Sequence, residues 1–586
     1  MRLLFLEYKN EFRKKYIPII FIALIAVVII FNIFVFRAPD YLQRFQISQK
    51  TAMIIFAGIF FVSVEIFGEL KDEKMAQLLQ IKKGGLIKSL FAKHIIVCSF
   101  IASCFFVDLI IELIRLNNSG AYSQLHECVF KVVVLNYALC PLTAMFVGKL
   151  FARLFKKKWA AYFAMLIVVV LVCGLFYKIN VALYETVGVN LDSLYKYFQL
   201  EQPNDNWAVD YQYLVPAEKY RVYIYLIWIF ISQVLMIFTV KRVKVRALYI
   251  VCPICLIALY VAINDIQYYK PSLNYNLNYA QATNKISEFE SDSDIREEEA
   301  NFTVESYDIL IACDNTEFMA FATLTLGDED VEEYKFTLYR GYDDITIWDK
   351  DGNNVEFERE GDYITVFTGG KVDTLEIYYG GVSQVFYASN NAVFLPGYFA
   401  YYPQPGFRPV FVTLTDEDGN SYSGYNTSNT TLEESHFTVG AFSNSSTDLH
   451  SNYQHSQAAI EEGEDYVFEG YGIAPTILLG PIGEKQEDGV NIIYNTVYES
   501  LYSFDFSWKD VLDELKKKCA QNDSDFLKEN DIDTIIFAPR TAEINGGWCT
   551  ESVCDNTLYL STELMSGDED PSLIADWILE NYEMVK

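Results

Sequence analysis

The chain has 586 residues, with 46 Lys and Arg against 77 Asp and Glu, a net charge of −31, and yet it is 52% hydrophobic and 16% aromatic. That combination excludes a lone soluble enzyme, a nucleic-acid binder and a fully disordered chain. Division at Ile266 resolves it: residues 1–266 carry 29 basic and 17 acidic residues, a net +12, and residues 267–586 carry 17 and 60, a net −43. A basic membrane-embedded part joined to an acidic soluble part is the expectation.

A membrane-spanning helix needs roughly 20 mostly apolar residues. Seven stretches qualify, Ile17–Phe36, Ala52–Gly68, Ile95–Ile114, Val132–Phe151, Trp159–Tyr177, Val222–Val240 and Ala247–Asn264. Glu65 and Lys149 sit near span ends, where a charge costs less. Asp108 and Glu112 lie one helical turn apart on one face of the third span. They either line an intramembrane polar pathway or helix contact, or reach the outer interface.

Of the 29 basic residues, 19 fall in the N-terminal segment and in the loops after the second, fourth and sixth stretches. Lys and Arg gather on the cytoplasmic side, so the N-terminus is expected inside a plasma-type membrane. Seven spans then put everything after Asn264 outside. The first stretch is too long, and lacks the small-residue site, for a cleaved signal peptide.

Two connections carry further pattern. In Met1–Tyr16, the apolar residues Leu3, Leu4, Phe5, Tyr8, Phe12 and Tyr16 recur at helical spacing among charges, an amphipathic helix lying on the lipid surface. Glu69–Lys93 is also helical and amphipathic: acids Glu69, Asp72 and Glu73, then Leu78 and Leu79, a Gly84-Gly85 break, and Leu86, Leu90 and Phe91. It reads as a protein-docking loop or as a second surface-lying helix.

Together these features resemble the permease subunits of type-2 ABC exporters over about residues 1–240. Those subunits have an N-terminal elbow helix and a coupling helix between the second and third spans. Glu69, Glu73, Leu78, Leu79, Ser89 and Lys93 match the coupling pattern, whereas Lys74-Met75 stands where Gly-Thr is usual and the proline is missing. The resemblance implies docking of a separate ATP-binding subunit on residues 69–93. It also implies a second permease copy or homologue, and ATP with Mg supplied through the partner. No G-x-x-x-x-G-K-[ST] occurs in the chain. A seventh span departs from that family's six and returns the chain to the outside. A membrane-anchored receptor or binding protein without transport is the alternative.

Gln267–Ala300 reads as an acidic linker, mobile or a solvated helix. From Asn301, short runs rich in Val, Ile, Thr, Phe and Tyr alternate with turn signals such as Asp351-Gly352 and Gly369-Gly370. Nine such runs, from Thr303–Cys313 to Val410–Leu414, predict an extracytoplasmic, mainly-β sandwich over residues 301–480. An α/β segment over 481–586 is expected to follow, with a helix at Ser507–Lys518, a core strand at Asp533–Pro539, a strand at Thr557–Ser561 and a helix at Ser572–Tyr582.

Tyr378-Tyr379-Gly380-Gly381, Phe394-Leu395-Pro396-Gly397 and Ala400-Tyr401-Tyr402-Pro403 resemble elements of aminopeptidase N-like zinc peptidases (gluzincins). Gly546-Gly547 with Glu551 loosely matches a further motif. In that family the last helix carries H-E-x-x-H, whose two His bind zinc and whose Glu activates water. Here Asp576 and Glu580 occupy the His positions and Trp577 the Glu position. The resemblance therefore implies a truncated, non-catalytic pseudo-peptidase domain without metal.

Cys549 and Cys554 are close enough in sequence to bridge a loop in an oxidising compartment, or they are buried thiols. Tyr398, Tyr401, Tyr402, Tyr422 and Tyr425, set among Asn and Ser, make a surface suited to a peptide or carbohydrate ligand, or pack as ordinary β-edge aromatics.

Overall fold

The computed structural model describes residues 9–14, 16–35, 45, 48–68, 85–118, 123–155, 157–172 and 219–239, with isolated positions between 179 and 200. In the second half it describes 296–314, 317–381, 386, 393–415, 421–426, 432–442, 449–455, 466–502, 504–538 and 551–585. The chain divides into two compact units, the second beginning at Tyr275.

The first unit is helical: α1 (Tyr16–Ile30), α2 (Thr51–Gly68), α3 (Gly85–Asn118), α4 (Ser123–Val133), α5 (Cys140–Leu154), α6 (Lys158–Val170) and α7 (Lys219–Thr239). Five segments are long and apolar enough to cross a membrane: Tyr16–Phe34, Thr51–Gly68, Ile87–Asn117, Val129–Leu154 and Arg221–Thr239. α6 is apolar but shorter, and the expected seventh span, residues 247–264, lies outside the described residues.

Two helices widen into π turns. α1 continues as Phe31–Val35, and α4 passes into α5 through Val134–Leu139. The second has a local cause. Pro141 has no N–H and its ring crowds the carbonyl four residues back, so the preceding turn loosens and the ladder resumes beyond it.

Side-chain contacts fix the helix directions. Tyr16 at the start of α1 donates to Glu65 near the end of α2 (2.9 Å), and Thr51 at the start of α2 donates to Asn32 (3.4 Å), so α1 and α2 are antiparallel. Lys93 at the start of α3 reaches Glu11 (2.7 Å), while Asp108 further along meets Asn32, so α3 runs parallel to α1. The α4–α5 rod runs against α3, because Asn136 contacts Gln49 (3.0 Å) and Lys149 contacts His94 (3.0 Å).

The second unit is mainly β. Its strands are β1 (Val304–Asp314), β2 (Glu317–Leu326), β3 (Glu333–Thr337), β4 (Asp344–Asp349), β5 (Glu356–Glu360), β6 (Tyr363–Phe367), β7 (Thr374–Gly381), β8 (Val393–Leu395), β9 (Gln404–Pro405), β10 (Phe411–Thr415), β11 (Ser421–Tyr425), β12 (Ser435–Phe442), β13 (Leu449–Ser451), β14 (Gln454–His455), β15 (Tyr466–Gly472) and β16 (Ile477–Leu479). Then come β17 (Ile482–Glu487), β18 (Val490–Asn495), β19 (Thr534–Ala538), β20 (Ser552–Cys554) and β21 (Thr557–Ser561), with helices α8 (Thr496–Tyr502), α9 (Trp508–Asn522), α10 (Phe526–Glu529) and α11 (Pro571–Val585). They form a seven-stranded sheet in the order β14-β15-β12-β1-β2-β7-β4, a four-stranded sheet β5-β6-β3-β9, two smaller sheets, and a five-stranded sheet β17-β18-β19-β21-β20.

β1 pairs with β2 antiparallel and with β12 parallel, which makes it central to the large sheet. Tyr307, Ile309 and Ile311 alternate along it and are buried, the two-residue period of a half-covered strand. The five-stranded sheet packs α9 and α11 on a core of Trp508, Val511, Leu515, Phe537, Leu558 and Ile578.

One expectation changes here, and one open alternative is decided. The last residues of the acidic stretch belong to the fold: Glu298 and Phe407 exchange backbone hydrogen bonds (2.8 Å each), and Arg296 N donates to the Tyr363 hydroxyl (3.0 Å). The tyrosines at 398, 401 and 402 are not a surface. All three are buried, Tyr402 packs edge-on against Tyr307 and Phe437, and the Tyr401 and Tyr402 hydroxyls donate to the carbonyls of Pro475 (2.8 Å) and Ile473 (3.0 Å). A phenol can be buried when its hydroxyl finds an acceptor, and those of Tyr401 and Tyr402 do. The side chains of Tyr422 and Tyr425 lie outside the described residues.

Candidate functional site

The strongest concentration of buried polar chemistry lies inside the helical unit, at the end holding Asn32, the start of α2 and the start of α7. Asp108 and Glu112 are both fully buried. The amide of Asn32 donates to Asp108 Oδ1. Arg115 donates to Glu112 Oε1 (2.7 Å) and to the Asn32 carbonyl. The Tyr137 hydroxyl donates to the Ser48 carbonyl (3.3 Å).

A second chain of contacts adjoins it. Asn136 donates to Gln49 and accepts from Arg221 Nη2 (2.5 Å). Arg221 also donates to the Tyr225 hydroxyl (2.8 Å), which donates in turn to the Leu200 carbonyl (2.8 Å). Arg221 is 1% exposed. Charge and amide groups from α1, α2, α3, the α4–α5 junction and α7 thus share one buried network. In a membrane setting such groups are costly and persist where they meet one another. Asn32 and Arg221 were not apparent as members from sequence. The available signal was position: an amide within the first apolar run and a guanidinium at the edge of the sixth.

The opposite end has separate contacts. Glu65 accepts from Tyr16 (2.9 Å), from Lys158 (3.0 Å) and from Tyr162. His94 Nδ1 lies 2.7 Å from the Leu90 carbonyl and its Nε2 3.0 Å from Lys149, whose ammonium lies over the rings of Phe67 and Phe146. Lys149 therefore stays buried by means of a ring nitrogen and two π faces. Lys93 and Glu11 form an ion pair with both side chains almost wholly buried.

Of the expected docking residues, Glu69, Glu73, Leu78 and Leu79 lie outside the described residues. Ser89 and Lys93 stand in the first turns of α3 and are buried there. Among the described residues of that stretch, Phe91 (66%) and Ile87 (37%) are exposed apolar residues.

In the second unit the helix expected to replace the zinc-binding helix is α11. Asp576 is held by Lys518 of α9 (2.5 Å), Trp577 packs against the core, and Glu580 is exposed. Carboxylate, indole and carboxylate in these settings do not fit a zinc ion of the peptidase kind, which needs imidazoles at the first and last positions. Among the described residues there is no group of three or more His, Cys, Asp or Glu able to hold a metal. Cys554 is buried in β20, and Cys549 lies outside the described residues.

No family model and no curated protein matches the chain. Among solved structures, an M1 zinc metallopeptidase from Deinococcus radiodurans aligns with 9% identity, 48% of this chain, 65% of that chain and a TM-score of 0.31. Native leukotriene A4 hydrolase from Saccharomyces cerevisiae aligns with 12% identity, 51% of this chain, 48% of that chain and a TM-score of 0.29. The chain spans roughly half to two thirds of those proteins. A likeness at that level assigns neither an activity nor a fold to the chain.

Proposed function

We propose that the chain is a permease subunit of an ABC-type exporter, moving substrate across a plasma-type membrane with ATP hydrolysed by a separate subunit. The C-terminal unit then serves as a non-catalytic outer domain for substrate or partner binding. The supporting observation is the buried Glu11–Lys93 ion pair (2.7 Å). It ties the amphipathic N-terminal segment to the first turns of α3, directly after the charged stretch 69–84. Force applied to that stretch by an ATPase would pass to α3, which carries Asp108 and Glu112, without first bending the bundle. The one-sided distribution of Lys and Arg supports the same orientation.

The test is affinity purification of the full chain from its own cells in mild detergent. An ATP-binding subunit is expected in stoichiometric amount, and Leu78→Asp with Leu79→Asp is expected to release it. Its absence from the wild-type preparation, or its retention by the double variant, overturns the assignment. A zinc content near one ion per chain would overturn the non-catalytic reading of the outer domain.

A further inference from the structure

A carboxylate removed from water is stable only when its oxygens meet donors or a cation. Asp108 meets that condition at one oxygen. Oδ1 accepts from Asn32 and the Tyr137 hydroxyl lies beside the carboxyl, whereas the fully buried Oδ2 has no partner in hydrogen-bond geometry among the described residues. Arg115 is engaged by Glu112 and by the Asn32 carbonyl.

The groups close to Asp108 are largely neutral and rich in oxygen. Asn32 Oδ1 and the Thr51 hydroxyl are 3.4 Å apart, and the Tyr137 hydroxyl interacts with Asp108, Asn32 and Thr51 together. Asn32 and Tyr137 both lie in π turns, where the regular helical ladder is interrupted, and such turns recur at functional sites. The facing groups are thus the buried Cys104 thiol, Glu112 and Arg115 from α3 itself, Asn32 from the end of α1, Thr51 from the start of α2, and Tyr137 from the α4–α5 junction. One unsatisfied anionic oxygen beside amide and hydroxyl oxygens is a donor set for a small hard cation.

We propose that Asp108 anchors a binding site for a monovalent cation, either an alkali-metal ion or a proton, held at Oδ2 and supported by Asn32, Thr51 and Tyr137. As a step in transport this deepens, and rests on, the permease reading. As a binding site it stands on the helical unit alone. A cation there neutralises the anion and joins α1, α2 and α3 at one end of the bundle.

The experiment follows thermal unfolding of the purified full chain in detergent. One arm adds lithium, sodium or potassium chloride against choline chloride at constant ionic strength, and the other lowers pH in choline chloride. A rise in the unfolding midpoint of about 5 °C is expected in one arm. A metal response identifies an alkali ion, and a pH response without a metal response identifies a proton. Asp108→Asn is expected to abolish the response while keeping a folded baseline. If that variant does not fold, Thr51→Ala takes its place, with the half-saturating concentration or midpoint pH expected to shift about tenfold or one unit. The proposal is overturned by a wild-type chain that responds in neither arm, by a response that survives Asp108→Asn, or by an unshifted response in Thr51→Ala. Retention of the ATPase subunit is scored in parallel. Its loss with the cation response intact overturns the permease reading and leaves the cation site standing; the reverse result does the opposite.

Discussion

Gly148 of α5 crosses α2 so closely that a Cβ added there would stand 2.7 Å from Ser63 Cβ and 2.8 Å from the Phe60 carbonyl oxygen. Backbone cannot move aside as a flexible side chain can, so these two helices touch only because residue 148 has no side chain. Gly148→Ala is expected to destabilise the helical unit by about 1–3 kcal/mol through overpacking. Thermal unfolding in detergent checks this, and an unchanged midpoint would mean that the helices are farther apart than described.

The Glu11–Lys93 pair is nearly out of water on both sides. Glu11 also holds Lys14 on its second oxygen (2.5 Å), so removing Lys93 breaks one arm of a buried network, at a cost of up to about 3 kcal/mol, whereas an apolar replacement of both partners of a buried pair is often close to neutral. Lys93→Met alone is expected to lower the yield and melting point of the chain sharply. The double variant Glu11→Leu with Lys93→Met is expected to recover most of the loss. Equal damage in single and double variants would refute the pairing.

Five phenols of the C-terminal unit, Tyr307, Tyr379, Tyr401, Tyr402 and Tyr559, are buried, and each is raised above the ordinary value of 10.0, first by loss of water and then by neighbouring groups. For a group raised in the folded state, the stability it contributes is complete below the unfolded value and is lost as pH climbs past it. The unit should therefore be insensitive to these groups at neutral pH and should unfold cooperatively above pH 10. Tyrosinate absorbance is expected to show a late, steep component for the buried set. A smooth titration of all tyrosines near 10 would contradict the burial.

The residues Ile473–Thr476 are gripped from three directions. Tyr401 and Tyr402 donate to the carbonyls of 475 and 473, Asn452 bonds both the 474 carbonyl (3.1 Å) and the 476 N–H (2.8 Å), and Asp555 accepts from the 473 N–H (3.1 Å). Thr476 also meets the Tyr559 hydroxyl (2.5 Å). Asp555 and Tyr559 belong to the five-stranded part, so that part and the large sheet share one seam. A fragment ending at residue 480 is expected to be poorly folded, with weak amide-exchange protection around 473–476. A fragment as protected as the full unit would show that the seam is dispensable.

Much of the architecture could be read from periodicity. The first four apolar runs and the sixth correspond to helical segments long and apolar enough to cross a membrane, and eight of the nine early β runs correspond to strands. The remaining run, expected at Val385–Tyr387, falls largely outside the described residues. Strands β12 (Ser435–Phe442) and β17 (Ile482–Glu487) were missed because their local composition opposes the assignment. One begins Ser-His and carries a central Gly, and the other is Gly-Glu-Lys-Gln-Glu with polar side chains. Sheet neighbours rather than propensity hold them in place. Within the site, Asp108 and Glu112 were visible as two acids one turn apart. Their partners were not, since Asn32 lies 76 residues from Asp108 and arrives only through helix packing. For the tyrosines the sequence leaves a ligand surface and ordinary packing both open, for the same reason, and 398, 401 and 402 prove to be packed. The acceptors of Tyr401 and Tyr402, at 475 and 473, are main-chain carbonyls, which leave no mark in side-chain composition.

The seam also bears on how the molecule tolerates change. A stretch held by its peptide groups is indifferent to much of its own side-chain identity, while the residues holding it are constrained. Ile473, whose N–H and carbonyl are both engaged, should accept many substitutions. Asn452 and Tyr402 should accept few, because each substitution there leaves a buried peptide group without its bond. Variation around this seam would then be lopsided, permissive at Ile473 and strict at the buried Ala474 and Thr476 and in the hands that grip the strap.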